Sequence, residues 1–236
     1  MAAAGRSFMA QVQRTTPYLK KTPEGLILTD DVLSLRGDFV SMLPRIAPDR
    51  LKSEMLLKAA RGKKAPERPL TVLDATAGLG EDSLILAAGG CYVLLCESDS
   101  VIFDLLSDAL QRAQAHPELV QITDRMQAVC RDSISLMHEE AERIEDGAEP
   151  AWDVVYLDPM FPKRRKSGLV KKKFQLLQQL ESPCTGEEEL LAAACSVRPQ
   201  RVIVKRPKKG PYLAGRKPSY SLNGKSIRYD VYLLRG

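Results

Sequence analysis

Short apolar runs alternate with amphipathic stretches through the middle of the chain, and this alternation predicts its secondary structure. Four apolar runs have the length and composition of strands: LTVLD (70–74), CYVLLCE (91–97), MQAVCRD (126–132) and WDVVYLD (152–158). The segments between them have helical spacing at residues 81–88, 99–115 and 133–145. Strands that are apolar throughout are buried on both faces, and strand-helix-strand units connect parallel strands. The pattern predicts a doubly wound, mostly parallel α/β sheet.

The N-terminal quarter has a different pattern. Residues 1 to about 21 are polar and aperiodic, which predicts a loosely ordered arm. GLILTDDVLSLRG (25–37) predicts a β-hairpin, and residues 49–60 predict a helix capped by Asp49. Because GKKAPERP (62–69) is typical of a linker, we expect residues 1–66 to form an N-terminal extension packed on a domain of residues 67–236.

The C-terminal third completes the sheet. Helical spacing recurs around residues 170–180 and 187–194, and RVIVKR (201–206) predicts another strand. The last apolar run, residues 229–234, predicts an antiparallel strand at the edge of the sheet.

Composition restricts the class of protein. The chain is 44% apolar and 28% charged, as expected for one globular domain, and it has no run of about 18 apolar residues that would predict a membrane helix. The N-terminus also lacks a secretory signal, so we expect a cytoplasmic protein without a membrane partner. Five cysteines without a C-x-x-C pair, and only His116 and His138, favour neither a disulfide framework nor a metal centre.

Basic residues are concentrated in two acid-free blocks. KRRKSGLVKKK (163–173) contains seven basic residues, and residues 197–229 contain ten. Such blocks favour a polyanionic partner, with a solvated charged face as the alternative. The side chains predicted to contact the phosphates of such a partner are Lys163, Arg164, Arg165, Lys166, Lys171, Lys172, Lys205 and Arg206.

The first strand ends in DATAGLGED (74–82), where glycines allow the backbone to turn tightly against a ligand. The spacing is not G-x-G-x-x-G, and Asp74 at the strand end would repel a pyrophosphate. S-adenosylmethionine, with its sulfonium and ammonium groups, suits this turn better. We therefore predict that Asp74, Gly78 and Gly80 bind this cofactor, with an ordinary glycine turn as the alternative.

The next two strands also end in polar side chains. Glu97 is placed to accept the hydroxyl protons of a ribose, a device that NAD-binding folds share. Asp132 and Ser133 are predicted either to meet an adenine amino group or simply to cap the following helix.

The fourth strand ends in the loop DPMFP (158–162), which has the [DN]-P-x-[FY] form typical of amino-group methyltransferases. The Asp158 carboxylate and the Pro159 carbonyl can accept N–H bonds from an exocyclic amine, and Phe161 can stack on its base. A proline-rich turn with a capping Asp and a core Phe is the alternative. The basic block at 163–173 follows directly, so phosphate contacts would surround this pocket.

Four blocks of the sequence resemble, in the same order, those of the small-subunit (16S) rRNA guanine-N2 methyltransferases of the RsmJ type. They are DATAGLGEDSLILA, VVYLDPMFP, KSGLVKKKFQLLQ and VIVKRP, and the resemblance extends from about residue 33 to the C-terminus. It implies a class I methyltransferase fold and methyl transfer from S-adenosylmethionine to N2 of a guanine in ribosomal RNA, free or in the small subunit. It also implies a cofactor site lined by Glu81, Asp82, Glu97, Ser98, Asp132, Ser133 and Asp158.

The chain departs from that family's pattern at three places. Glu81 and Ser98 stand where the family has arginine, and RIAPDRLKSEML replaces a glycine-rich basic segment before the first helix. Two other functions remain open at this point, an N6-adenine methyltransferase acting on RNA or DNA and a non-catalytic RNA-binding protein. The motif spacing and Asp74 disfavour an NAD-dependent oxidoreductase.

Overall fold

Ten strands occur in the computed structural model, which describes residues 16–62, 66–159, 176 and 186–234. They are β1 (Tyr18–Thr22), β2 (Gly25–Thr29), β3 (Ser34–Leu35), β4 (Thr71–Asp74), β5 (Tyr92–Glu97), β6 (Met126–Cys130), β7 (Val154–Leu157), β8 (Arg201–Pro207), β9 (Tyr220–Asn223) and β10 (Ile227–Leu233). The first three form a small antiparallel sheet, and the other seven form one large sheet.

The large sheet has the strand order β6-β5-β4-β7-β8-β10-β9. Neighbours from β6 to β8 pair in parallel, whereas β10 pairs antiparallel with both β8 and β9. The predicted doubly wound, mostly parallel sheet is confirmed. The predicted edge position of β10 is wrong, because β9 covers its outer side. β9 (sequence YSLN) mixes polar and apolar residues too closely to form the apolar run that would have predicted it.

Helices flank the large sheet on both faces. In the described residues they are α1 (Pro48–Leu51), α2 (Met55–Arg61), α3 (Glu81–Ala88), α4 (Ser100–Gln114), α5 (Val120–Thr123), α6 (Ser133–Glu145) and α7 (Glu187–Ser196). The helices predicted between the central strands are confirmed as α3, α4 and α6. The Asp99 side chain begins α4 by accepting the N–H groups of Val101 and Ile102.

Alternating side chains of the central strands feed two separate cores. Val72 of β4 and Tyr156 of β7 are buried against α2, α3 and α4 on one face. Leu73 of β4 and Val155 of β7 are buried against α6 and α7 on the other. This two-sided burial explains why the strands are apolar throughout.

Part of the predicted N-terminal arm is a strand, and residues 1–15 of that arm lie outside the described residues. Tyr18–Thr22 forms strand β1, where a loose arm was expected up to about residue 21. The predicted hairpin is present as β2 and β3, and β1 pairs with the other side of β2. Leu28 of β2 packs with Ile102 and Leu105 of α4, so α4 is covered by this small sheet. The proposed domain boundary at residue 66 stays a prediction.

The single helix predicted at residues 49–60 is instead two helices. α1 begins at Pro48 after an extended Ala47, and the Asp49 side chain provides no cap. The Ser53 hydroxyl donates to the Arg50 carbonyl at 2.9 Å, and Glu54 is extended, which ends the first helix before α2 begins.

The amino ends of β4, β7 and β8 are held together by one carboxylate, Asp153. Its oxygens accept both terminal nitrogens of Arg68 at 2.7 and 2.8 Å, the Thr71 N–H and hydroxyl at 2.9 and 3.1 Å, and the Gln200 amide at 2.9 Å. The side chain is 6% exposed. These bonds fix the edge of the sheet opposite to the carboxyl ends of the parallel strands.

No helix in the described ranges is both long and apolar enough to cross a membrane. The helix predicted around residues 170–180 lies outside the described residues, apart from Leu176, which is buried with the β2–α4 cluster. The helix predicted at residues 187–194 is confirmed as α7, which extends two residues further.

Candidate active site

The carboxyl ends of β4, β5, β7 and β8 bring most of the predicted site residues to one edge of the sheet. β4 ends at Asp74, β5 at Glu97, and β7 runs directly into Asp158. The parallel register pairs Leu157 with Val204, so Lys205 emerges from β8 beside Asp158. Ligands of doubly wound sheets bind at this edge.

Asp74 lies beneath the turn that follows β4. It is 1% exposed, and it accepts the Ser83 hydroxyl at 2.6 Å and the Thr76 N–H at 3.2 Å. Burial raises the pKa of this carboxyl to about 7. The side chain is almost entirely enclosed, and its bonds fix the shape of the turn. A direct contact of Asp74 with the cofactor stays a prediction.

The two glycines of this turn have different surroundings. Both have positive φ, +53° at Gly78 and +75° at Gly80. A Cβ at Gly80 would lie 2.8 Å from the Leu106 Cδ1 atom, so Gly80 packs against the core. A Cβ at Gly78 would meet nothing within 4 Å. Gly78 therefore presents bare backbone to open space, as a closely approaching ligand requires.

Replacement of Gly78 by alanine is expected to weaken S-adenosylmethionine binding about tenfold, or about 1.4 kcal/mol. The added methyl group would occupy the open space over the turn, and the positive φ would cost about 1 kcal/mol of stability. Calorimetric titration with the cofactor measures the first effect, and urea unfolding measures the second.

Gly147→Ala is the matched control, because Gly147 has a φ of +97° and open space at Cβ, but it follows the distal end of α6. Equal cofactor affinity in the two variants would contradict the placement of the cofactor over Gly78.

Glu97 also bonds to this turn. Its two oxygens accept the N–H groups of Gly78 and Asp99, each at 2.9 Å. Burial raises the pKa of Glu97, and the backbone N–H groups oppose that shift. An ionised carboxylate has about four acceptor positions, so Glu97 retains capacity for a ribose hydroxyl.

The end of β6 confirms one of its two interpretations. The Asp132 side chain caps α6 by accepting the Ser135 N–H at 2.8 Å and the Ser135 hydroxyl at 2.7 Å. Burial opposes a low pKa at Asp132, but the bonds from Ser135 outweigh it and lower the pKa. Asp132 is exposed and Ser133 is buried. A contact of either residue with adenine stays a prediction, as does any contact of Glu81 or the exposed Ser98 with the cofactor.

The strongest cluster of charges joins α3, β7 and β8. The Lys205 Nζ lies 2.6 Å from Asp82 Oδ2 and 2.8 Å from Asp158 Oδ2. The Tyr156 hydroxyl donates to the same Asp82 oxygen at 2.6 Å, and the Asp158 N–H donates to the Thr76 hydroxyl at 2.6 Å. The predicted residues Asp82 and Asp158 are thus brought together by a lysine.

Ionisation in this cluster is strongly coupled. Burial lowers the pKa of Lys205, but Asp158 and Asp82 outweigh it and raise the pKa above its usual value. Lys205 is therefore an ammonium at neutral pH. Withdrawal from water raises the pKa of Asp158, against the opposing effect of Lys205.

The structure corrects the roles predicted for Lys205 and Arg206. Arg206 was expected to contact RNA phosphates, but its side chain is fully buried and bonds to Glu187 and to the Pro211 carbonyl. Lys205 is directed into the carboxylate cluster and not toward solvent phosphates. In the sequence, both residues are simply members of a basic block. As consecutive residues of β8 they point to opposite faces of the sheet, and this difference decides their partners.

Exposed lysines lie further along the chain, in a loop held by Arg228. The Arg228 guanidinium donates to four carbonyl oxygens of this loop, those of Pro207, Lys208, Gly210 and Pro211. It also lies 5.0 Å from the centre of the Tyr212 ring. Lys208 and Lys209 are exposed on this fixed loop, which follows β8 at the same edge as Asp158. In the sequence, these two lysines do not differ from the other basic residues of the 197–229 block.

Several predicted residues fall outside the described part of the chain. They are Phe161, Lys163, Arg164, Arg165, Lys166, Lys171 and Lys172. Pro159 is described and buried next to Asp158. The roles predicted for all of these residues stay predictions.

The described residues fit S-adenosylmethionine. Gly78 offers open space over its backbone, and Glu97 retains acceptor capacity beside it. Asp82 and Asp158 carry two negative charges against the single charge of Lys205, an excess that suits a sulfonium and an ammonium. Within the described ranges, no group of three or more His, Cys, Asp or Glu side chains could hold a metal ion.

Comparison with known proteins identifies relatives over nearly the whole chain. A family model described as "Putative SAM-dependent methyltransferase" matches residues 8–234. The crystal structure of a SAM-dependent methyltransferase from Neisseria gonorrhoeae is similar, with a TM-score of 0.73 and 30% identity, over 97% of this chain and 87% of that one. The expected class I methyltransferase fold is thereby confirmed.

Curated relatives are more similar in sequence. A protein of Pseudomonas aeruginosa named ribosomal RNA small subunit methyltransferase J is 47% identical over 179 residues, which are 76% of this chain. The protein of the same name from Thioalkalivibrio sulfidiphilus is 44% identical, over 78% of this chain and 69% of its own length. The match spans 65% of the length of the Pseudomonas protein. The chain belongs to the SAM-dependent methyltransferases, and within them to the RsmJ-type family.

Proposed function

We propose that this protein transfers a methyl group from S-adenosylmethionine to the exocyclic N2 amine of a guanine in small-subunit ribosomal RNA. The observation that carries the proposal is the position of Asp158, which directly follows β7 at the carboxyl edge of the sheet. Its N–H donates to Thr76 in the turn that contains Gly78, and Glu97 accepts the Gly78 N–H of the same turn. The names of the curated relatives support ribosomal RNA as the substrate class.

Catalysis in this proposal depends on positioning. Bound S-adenosylmethionine supplies a methyl group that its sulfonium has already activated. The guanine N2 lone pair is delocalised into the ring, so the amine must be oriented to react. The Asp158 carboxylate accepts one N–H and the Pro159 carbonyl accepts the other, which directs the lone pair. As the bond from N2 to the methyl carbon forms and the bond from sulfur to that carbon breaks, the amine becomes acidic and gives its proton to the Asp158 carboxylate. Neither a covalent intermediate nor a strong base is needed.

The remaining residues hold the two substrates. Glu97 accepts a ribose hydroxyl of the cofactor, and Phe161 stacks on the guanine. Basic side chains of the 163–173 block contact phosphates, and the exposed Lys208 and Lys209 add contacts in place of Arg206. A cytoplasmic location, where ribosomal subunits are assembled, belongs to the same proposal.

Transfer of labelled methyl groups to unmodified small-subunit rRNA tests this function. The RNA is offered both free and in assembled subunits, and the digested nucleosides are separated by mass. N2-methylguanosine is the expected product. Methyladenosine as the product would reassign the protein to the N6-adenine methyltransferases. Failure to bind S-adenosylmethionine in a separate titration would exclude a methyltransferase activity.

A further inference from the structure

One lysine side chain connects three elements at the active edge. Lys205 of β8 lies between Asp82 in the first turn of α3 and Asp158 after β7. Its Nζ is 2.6 Å from Oδ2 of Asp82 and 2.8 Å from Oδ2 of Asp158. The side chain is 24% exposed. Two such contacts on a largely enclosed ammonium fix its position, because breaking either would leave a carboxylate less well paired.

The contact with Lys205 also orients the Asp158 carboxylate. Lys205 binds Oδ2, and no described residue donates to Oδ1. The backbone of Asp158 is held separately by its N–H bond to the Thr76 hydroxyl. With the backbone and Oδ2 both fixed, Oδ1 is the oxygen that can accept an amine N–H.

We propose that Lys205 is a positioning residue for methyl transfer, which orients the Asp158 carboxylate through an ion pair that Asp82 holds in place. This inference rests on the proposed function, in which Asp158 accepts an N–H of the target amine. It gives Lys205 a role different from the phosphate contact that its place in a basic block suggests.

The charged and titratable groups around Asp158 determine the sign of the expected pH effect. Those that act on Asp158 are Lys205 and Arg206 of β8, Asp82 of α3, Asp74 of β4 and Tyr156 of β7. Tyr229 of β10 acts on Asp82 and Lys205, and Arg45 acts on Asp82. Lys205 lowers the pKa of Asp158 and Asp82 raises it. Removal of the lysine charge must therefore raise this pKa, whereas removal of the Asp82 charge must lower it.

Lys205→Met tests the positioning role. Methionine has a similar length but no charge, so we expect kcat to fall about 100-fold while cofactor affinity changes much less. Lys205→Arg keeps the charge and should recover a substantial part of the activity. Lys58→Met is the matched control, because Lys58 is exposed on α2 and outside the cluster. Circular dichroism and urea unfolding verify that each variant is folded.

The pH dependence separates positioning from a structural role. The ionised Asp158 carboxylate accepts an N–H more strongly than the neutral carboxyl, so activity decreases as pH falls through its pKa. We expect the acid limb of kcat against pH to move to higher pH in Lys205→Met and to lower pH in Asp82→Asn. A lysine that only stabilises the fold would not move the limb in opposite directions in these two variants.

A spectroscopic titration measures the effect of Lys205 and Asp82 on the pKa of Asp158 independently of enzyme activity. The 13C signal of the Asp158 carboxyl, assigned by its loss in Asp158→Asn, is followed against pH in the wild type, Lys205→Met and Asp82→Asn. If the wild type does not methylate rRNA but these titrations shift as expected, the proposed function fails and the coupling stands. Unshifted titrations, or a Lys205→Met variant in which only the KM for RNA rises, would overturn the inference.

Discussion

Replacement of Asp158 by alanine is expected to lower kcat by at least about 100-fold, with S-adenosylmethionine affinity changed much less. Alanine removes the acceptor that orients the amine, and it leaves the Gly78 turn and Glu97 intact. Steady-state methyl transfer to small-subunit rRNA gives kcat, and calorimetric titration gives the cofactor affinity. Asp158→Asn retains an oxygen acceptor without the charge, so we expect an intermediate loss.

Two outcomes would contradict this assignment. Normal turnover in Asp158→Ala would remove Asp158 from the reaction. A loss of cofactor binding that accounts for the entire loss of activity would show that Asp158 binds the cofactor and does not orient the amine. Thermal unfolding of Asp158→Ala verifies that the variant still folds, although Lys205 has lost one of its two carboxylate partners.

Replacement of Arg228 by methionine is expected to lower the free energy of unfolding by about 3–5 kcal/mol. Arg228 is buried, and its Nε lies 2.8 Å from an oxygen of the fully buried Asp230. Methionine would leave this carboxylate in the core without its cation. It would also leave the carbonyl groups of the basic loop without their shared donor. Urea unfolding of the wild type and the variant measures the difference.

The control for this prediction is an exposed ion pair of similar composition. Lys52 and Asp49 are 2.9 Å apart at the surface, with side chains that are 78% and 94% exposed. Lys52→Met should leave the unfolding midpoint unchanged, because water already solvates both charges. Equal effects of the two substitutions would show that the buried pair contributes no more than a surface pair.

The central sheet and the succession of strands and helices along the chain could be predicted from the sequence, because strands buried on both faces are continuous apolar runs. Strands such as Val154–Leu157 are fully apolar, and helices such as α6 begin at a capping Asp. β9 and the break between α1 and α2 escaped prediction. Their boundaries depend on pairing with β10 and on a hydroxyl-carbonyl bond at Ser53, and neither contact alters the hydrophobic period.

Some features of the site could likewise be predicted from the sequence, and others could not. The position of Asp158 at a strand end is readable from the sequence, because the run before it is continuous and apolar. The partners of a charge are not readable. Lys205, Arg206 and Lys208 look equivalent in the sequence, but the first meets two carboxylates, the second is buried, and the third is exposed. The burial of Asp74 beside Ser83 of α3 has no local signal in the sequence either.

Asp153 illustrates how the two ends of the sheet differ in their tolerance of change. Five bonds from Arg68, Thr71 and Gln200 engage its carboxylate. At the opposite edge of the sheet, Asp158 after β7 and Glu97 at the end of β5 keep acceptor capacity for substrates. Rigidity and reactivity are therefore separated along the strand axis. Loops at the carboxyl edge can diverge toward new substrates over evolutionary time, while the anchored amino edge preserves the fold that carries them.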